Sequence, residues 1–290
     1  MNSNQPFYAV IGNPIAHSKS PLIQQLFAKA AGITLRYERL RLPKGSSAGF
    51  AAQLARQAGL GLVGANVTIP FKTQAFEFAT LAGNTLTQRA QDAGVVNTLK
   101  RLENGAWLAD NTDGAGIVAD LVRLRGSLKG AKVLLLGAGG AAQGAINPLL
   151  AAGAQVMIAN RTLAKAQALV HKFSGGMTAQ TSAAHTLTAH TLTEALPTCD
   201  IIVNATAASL QGIALAPNPG ALVKTTLAYD MMYGLKPTPF MQLCADLGAP
   251  TADGMGMLVE QAAEGFALWH GVRPPTAPIH EYLRSYLQKQ

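Results

Sequence analysis

Cysteine is almost missing from this 290-residue chain, and Cys199 and Cys244 stand in no metal or redox spacing. A reduced, cytoplasmic setting is therefore expected. Charge is also sparse, at 13% of residues against 49% hydrophobic, which suits an α/β protein with well-buried sheets. No apolar run approaches the roughly 18 residues of a membrane span, and the first residues show no basic stretch leading into an apolar one. Neither secretion nor membrane spanning is expected. Lys and Arg exceed Asp and Glu by 23 to 15, giving a net charge of +8, yet they form no run. Scattered basic residues point to anionic small ligands rather than nucleic acid. His185 and His190 have no carboxylate or cysteine cluster beside them, so no metal site is expected. No repeat of solenoid period occurs. The length admits two domains of ordinary size.

Glycine, by contrast, is abundant, and one cluster organises the chain. Lys132-Val133-Leu134-Leu135-Leu136 reads as a buried parallel strand, and Ala141 to Leu150 as the helix after it. Between them Gly137-x-Gly139-x-x-Ala142 fits the turn of a dinucleotide-binding βαβ unit. Gly137 permits the tight turn, Gly139 lets backbone approach a pyrophosphate, and Ala142 lets helix and strand pack closely. Amide groups at the helix N-terminus then face the phosphate charge. The next strand, Gln155 to Ala159, ends at Asn160-Arg161-Thr162. About twenty residues past the turn, an NAD-specific protein carries an acidic side chain for the ribose 2′-hydroxyl. Arg161 there, with Lys165 a helical turn later, favours a 2′-phosphate and hence NADP.

The amino-terminal part repeats a rhythm of apolar strand and polar tip. Phe7 to Gly12 reads as a strand leading into Asn13-Pro14-Ile15-Ala16-His17-Ser18-Lys19-Ser20. Ser20 is the expected N-cap of a helix opening at Pro21, and the two serines could alternatively hold a carboxylate. Leu35 to Leu40 reads as the second strand and Ser47 to Ala58 as helix. Leu62 to Lys72 reads as a strand tipped by Asn66 and Thr68, with Lys72 just beyond, and Gly94 to Leu99 as a strand carrying Asn97. Asp113 is expected near a helix start. Asp200 to Thr206 and Thr226 to Met231 continue the pattern, and Asp253-Gly254 turns into a helix reaching Trp269, with a last helix from Ile279 to Gln288.

Together these residues resemble the shikimate dehydrogenase family over essentially the whole chain. The match is carried by GNPIAHSKSP (12–21), ANVTIPFK (65–72), VVNT (95–98), DNTDG (110–114) and DGMGMLVEQA (253–262). The nucleotide segments GAGGAAQG, NRT, NAT and YDMMY agree in order and spacing. The resemblance implies two α/β domains: a substrate domain of residues 1–112 and 254–290, and a Rossmann-type domain with a parallel sheet inserted as residues 113–253. It implies NADPH-dependent reduction of 3-dehydroshikimate to shikimate. Carried onto matching positions, Ser18 and Ser20 hold the substrate carboxylate, and Asn66, Thr68, Asn97, Asp113, Tyr233 and Gln261 bond its hydroxyls. Lys72 and Asp113 lie at the reacting centre. Gly137, Ala138, Gly139, Gly140, Ala141, Asn160, Arg161, Thr162, Lys165 and Thr206 hold the cofactor, while Met231, Gly254 and Met257 line its nicotinamide. The expected partners are thus the small-molecule substrate and NADP, with no nucleic acid and no membrane; a homodimer is left open.

Departures from the family pattern are few. Gln24-Gln25 replaces a common His-Asn, Gln143 and Lys165 stand where arginines are frequent, and Ala207-Ala208 replaces a common serine. The competing readings are a quinate/shikimate dehydrogenase with relaxed cofactor use, which Arg161 opposes, and a silent nucleotide-binding regulator. Retention of Lys72 and Asp113 opposes the latter.

Overall fold

Apolar runs bounded by glycine and proline become strands, and the computed structural model describes residues 5–44, 49–174 and 187–288. The chain divides into two units, Met1–Asp113 with Val259–Arg284, and Gly114–Leu258 with Ser285–Gln290.

The first unit contains β1 (Phe7–Gly12), α1 (Ser20–Ala31), β2 (Tyr37–Arg41), α2 (Gly49–Gly59), β3 (Leu62–Val67) and α3 (Lys72–Ala79). It continues through β4 (Thr85–Leu86), α4 (Gln88–Ala93), β5 (Thr98–Arg101) and β6 (Trp107–Asp110). The strands form one sheet in the order β2-β1-β3-β5-β6-β4. β2, β1 and β3 are parallel, whereas β5 runs antiparallel to both β3 and β6. Phe7, Ala9, Ile11, Leu62, Ala65, Val67 and Leu99 bury one apolar cluster with Phe50 and Leu54 of α2. That packing holds the carboxyl end of β3, and with it Asn66, in a fixed place.

Three local expectations shift. Ser20 is the first helical residue rather than the N-cap, and Lys19 occupies the cap position without a side-chain bond. The Ser18 hydroxyl instead accepts from the Ser20 N–H at 3.3 Å, so the capping serine lies two residues earlier. β2 starts at Tyr37, since its register with β1 pairs Tyr8 with Tyr37 and Gly12 with Arg41. Gly94 ends α4 in the left-handed conformation, so the next strand starts only at Thr98 and Asn97 lies just ahead of it.

In the second unit α5 (Asp113–Arg125) leads to β7 (Lys132–Leu136), α6 (Gly140–Ala151), β8 (Gln155–Ala159), α7 (Leu163–Ser174) and β9 (Leu187–His190). β10 (Ile201–Asn204), β11 (Leu227–Asp230), α8 (Pro239–Asp246) and β12 (Thr251–Asp253) follow. The last two helices, α9 (Met255–His270) and α10 (Ala277–Gln288), belong mainly to the first unit through Val259–Arg284. The sheet of the second unit has the order β12-β11-β10-β7-β8-β9, and every pair is parallel. Strand order reverses beside β7, so the loop after β7 lies where open parallel sheets place ligands. Val133, Leu135, Val156, Ile158, Ile201 and Val203 bury one face of this sheet against Ile146 and Leu149 of α6. His185 lies outside the described residues, while His190 ends β9. No helix among the described residues is long and apolar enough to cross a membrane.

Candidate active site

In the first unit the polar tips converge on one carboxylate. Lys72 opens α3, and its ammonium donates to Asp113 Oδ2 at 2.6 Å, with both side chains partly exposed. Asn97 Nδ2 donates to Asp113 Oδ1 at 2.8 Å and to Thr112 Oγ1 at 3.0 Å. The backbone of Asp113 is fixed as well, because its N–H donates to Asn111 Oδ1 at 3.0 Å.

The hydrogen bonds behind this pair run in one direction. The Tyr37 hydroxyl donates to Asn66 Oδ1 at 2.8 Å, and Asn66 Nδ2 donates to Thr98 Oγ1 at 3.2 Å. Thr98 Oγ1 donates to Asn97 Oδ1 at 2.9 Å, and Asn97 Nδ2 passes the sequence on to Asp113. Each amide therefore has a defined orientation, since reversing one would set acceptor against acceptor or donor against donor. Burial pushes Tyr37 well above the ordinary phenol range, partly offset by a bond from Ser20 and the charge of Arg39, so its hydroxyl stays a donor. Ser18 and Ser20 lie together, their hydroxyl oxygens 3.2 Å apart. Arg39 holds their loop by donating to the Ser18 carbonyl from Nη2 at 2.6 Å and Nε at 3.1 Å.

Thus the structure gathers Lys72, Asp113, Asn97 and Asn66 into one network. Gln261 reaches it only at the limit of hydrogen bonding, its Oε1 lying 3.5 Å from Asn97 Nδ2 and 3.4 Å from Thr112 Oγ1. Thr68 follows β3 with its N–H donating to Ile11 O at 2.9 Å. Tyr233 belongs to the other unit and is 40% exposed. Sequence reasoning passed over Tyr37, Thr98 and Asn111. Tyr37 carries no local signal, since Arg39 and Arg41 on its face of β2 are exposed, and Asn111 shows only as part of its motif.

In the second unit Gly137 has φ +107°, a conformation open to glycine, and a Cβ there would lie 2.7 Å from Thr206 Cγ2. Thr206 is itself held by Asn204, whose Oδ1 accepts from its hydroxyl at 2.7 Å and its N–H at 3.1 Å. Gly139 caps α6 without a side chain, and a Cβ at Gly139 or Gly140 would meet open space. Ala141 follows, exposed, in the first turn. Arg161 and Thr162 are exposed after β8, where Asn160 Nδ2 donates to the Thr162 carbonyl at 2.9 Å; Lys165 is exposed in the first turn of α7. Met231 is buried in the sheet cluster, with Ala138 and Met257 packed against it. Gly254 is indispensable there, because a Cβ would collide with the Met231 carbonyl oxygen. Open space beside an uncapped helix N-terminus, with cationic side chains after the neighbouring strand, fits a phosphate-bearing dinucleotide. Burial pushes Cys199 and Cys244 up to about 11, so neither offers a thiolate nucleophile at neutral pH.

Comparison with known proteins gives this arrangement a family. Residues 10–99 match the shikimate dehydrogenase substrate binding domain, 120–217 the shikimate / quinate 5-dehydrogenase family and 254–284 the shikimate 5'-dehydrogenase C-terminal domain. A shikimate dehydrogenase (NADP(+)) from Bordetella petrii is 49% identical, covering 97% of this chain and 96% of the relative. The chain belongs to the shikimate dehydrogenase family. Among solved structures, an Ael1 enzyme from Pseudomonas putida superposes with a TM-score of 0.83 at 43% identity, covering 97% of this chain and 98% of that one. The shikimate 5-dehydrogenase of Thermus thermophilus, solved with NADP(H) and shikimate, gives a TM-score of 0.76 at 28% identity, covering 98% of this chain and all of that one (100%). The family, two-domain α/β fold class, oxidoreductase class and NADP use expected from the sequence are borne out.

Proposed function

We propose that this protein reversibly reduces 3-dehydroshikimate to shikimate with NADPH, with Lys72 and Asp113 at the reacting centre. The first unit then serves as the substrate domain and the second as the NADP domain. Ser18 and Ser20 hold the substrate carboxylate, and Asn66, Thr68, Asn97, Tyr233 and Gln261 bond its hydroxyls. Gly137 to Ala141 and Thr206 hold the pyrophosphate, Asn160 to Thr162 with Lys165 the adenosine 2′-phosphate, and Met231, Gly254 and Met257 the nicotinamide. When bound, NADPH supplies the hydride. Negative charge then grows on the former carbonyl oxygen, and the Lys72 ammonium donates a proton to it. In the reverse direction the neutral Lys72 amine receives the alcohol proton. Asp113 keeps the lysine nitrogen in place through Oδ2 while Asn97 fixes Oδ1. The same reading puts the protein in the cytoplasm, where free thiols such as Cys199 and Cys244 are the ordinary state.

The observation that carries this reading is the 2.6 Å Lys72–Asp113 pair at the end of a directed donor chain. Its test is Lys72→Ala, assayed with shikimate or quinate against NADP or NAD. Turnover of shikimate with NADP should fall roughly a hundredfold or more, as for loss of a general acid. NADPH affinity should stay unchanged, since the cofactor is assigned to the other unit. Near-normal turnover by the folded variant would remove Lys72 from the chemistry.

A further inference from the structure

Asp113 is held by Asn97 and Asn111, but the loop that carries it has its own anchor. Asp110, the last residue of β6, is fully buried and carries a carboxylate. Its Oδ1 accepts from Thr87 Oγ1 at 2.6 Å, Arg89 Nε at 3.0 Å and the Asn111 N–H at 2.8 Å, and its Oδ2 from Arg89 Nη2 at 2.5 Å. Arg89, in α4, is the only cation among these partners. It has a second hand: Nη1 donates to Glu264 Oε2 at 3.1 Å. Glu264 lies on α9 three residues beyond Gln261, hence on the same helix face. Glu264 is in turn paired with Arg273, and Arg273 with the buried Glu260, which His280 also meets at 2.8 Å.

We propose that Arg89 is a positioning residue for the reaction, bracing the Asp110–Asp113 loop against the α9 face that presents Gln261. The inference rests on the assignment of Lys72 and Asp113 to the reacting centre. A planar guanidinium reaches both carboxylates at once, with Nε and Nη2 on Asp110 and Nη1 on Glu264; a lysine ammonium has no such fork. Asn111 transmits the brace. Its N–H is tied to Asp110, its Oδ1 accepts the Asp113 N–H, and its Nδ2 donates to the Val95 carbonyl at 3.1 Å, beside the strand entry bearing Asn97. Releasing Arg89 therefore loosens Asp113 and Gln261 together, and a displacement on the order of 1 Å at reacting groups can cost about a hundredfold in rate.

The test compares Arg89→Lys and Glu264→Gln with the unaltered protein, using shikimate carrying deuterium at the carbon that loses hydride. Arg89→Lys keeps a charge beside Asp110, so the variant should fold, as melting and NADPH binding will show. Its kcat should fall about tenfold or more, with a larger deuterium isotope effect on kcat, because misplacement slows the chemical step. Glu264→Gln, which weakens the α9 branch and the pair with Arg273 but leaves the fork on Asp110 in place, should raise the KM for shikimate with little change in kcat. A folded Arg89→Lys with wild-type kcat and isotope effect overturns the proposal, even if its melting temperature drops. So does a Glu264→Gln that matches the unaltered protein in KM. Lys72→Ala assayed alongside keeps the two readings apart: near-normal turnover there overturns the reacting-centre assignment, whereas a slow Lys72→Ala beside an unaltered Arg89→Lys overturns only the brace.

Discussion

Tyr37 of β2 and Asn66 of β3 meet across the intervening strand β1, the phenol hydroxyl donating to the amide oxygen over 2.8 Å within the protein interior. The Asp113 carboxylate and the Thr112 N–H decide which way the Asn97 amide points, and through the Thr98 hydroxyl they orient Asn66, whose oxygen then accepts from Tyr37. Tyr37→Phe leaves Asn66 Oδ1 buried without its donor, at a cost of about 1–3 kcal/mol in stability. The KM for shikimate should rise and kcat should fall modestly, since Asn66 then keeps only its bond to Thr98 and is held less firmly. Denaturant titration and steady-state kinetics check both. An unchanged KM would detach Tyr37 from the site and leave it a packing residue.

Ser18 and Ser20 present two hydroxyls 3.2 Å apart on a loop that Arg39 pins by its carbonyl. Replacing both with Ala should raise the KM for shikimate far more than it lowers kcat, if the carboxylate is held equally in ground and transition states. The methyl ester of shikimate should suffer little additional loss in the double variant. If KM does not move, the Ser18 hydroxyl serves only the Ser20 N–H.

Much of this was legible in the chain itself. The strand-to-helix passage at Gly137–Ala142 follows from an apolar run, a glycine turn and small residues, all local properties, and it appears where expected. The polar residues at strand ends are equally plain, because a buried strand has few reasons to end in Asn or Asp. Pairing partners are another matter. That Asp110 meets Arg89, or that Tyr37 meets Asn66, depends on the sheet order β2-β1-β3-β5-β6-β4, which no local pattern encodes. Ser20 shows the same limit on a smaller scale, since Ser18 and Ser20 have equal intrinsic claims to cap α1 and the fold of the preceding loop decides.

Arg161 stands exposed in the loop after β8, with Lys165 a helical turn further on. A guanidinium there can form charge-assisted bonds to a 2′-phosphate, which NADPH has and NADH lacks. Arg161→Asp removes that attraction and adds repulsion, so NADPH should bind at least about tenfold more weakly while NADH is far less affected. Fluorescence titration with each cofactor measures the difference. Equal losses for both would make the residue a structural one.

His270 ends α9 with its ring 4.4 Å from that of Phe266 and 5.1 Å from that of Tyr8, centroid to centroid. Its Nε2 is buried without a hydrogen-bond partner. Burial, and then the charge of Lys100, holds its pKa below the ordinary 6.5. The folded protein therefore binds less proton at this site than the unfolded chain does. Linkage fixes the sign: the neutral ring contributes fully above pH 6.5, and stability is lost as pH falls from there through the folded value. Glu260 acts in a lower window. Burial alone would raise its pKa, but bonds from His280 and Thr276 and the charges of His280 and Arg273 prevail and bring it below 4.5. Its stabilising share is lost only as pH falls below 4.5 through the folded value. His270→Phe keeps an aromatic ring among aromatic neighbours and removes the titration. Urea midpoints should then hold nearly level between neutral pH and the onset of carboxylate protonation, where the unaltered protein declines. A decline of equal slope in both proteins in that interval would clear His270 and assign the loss to another group.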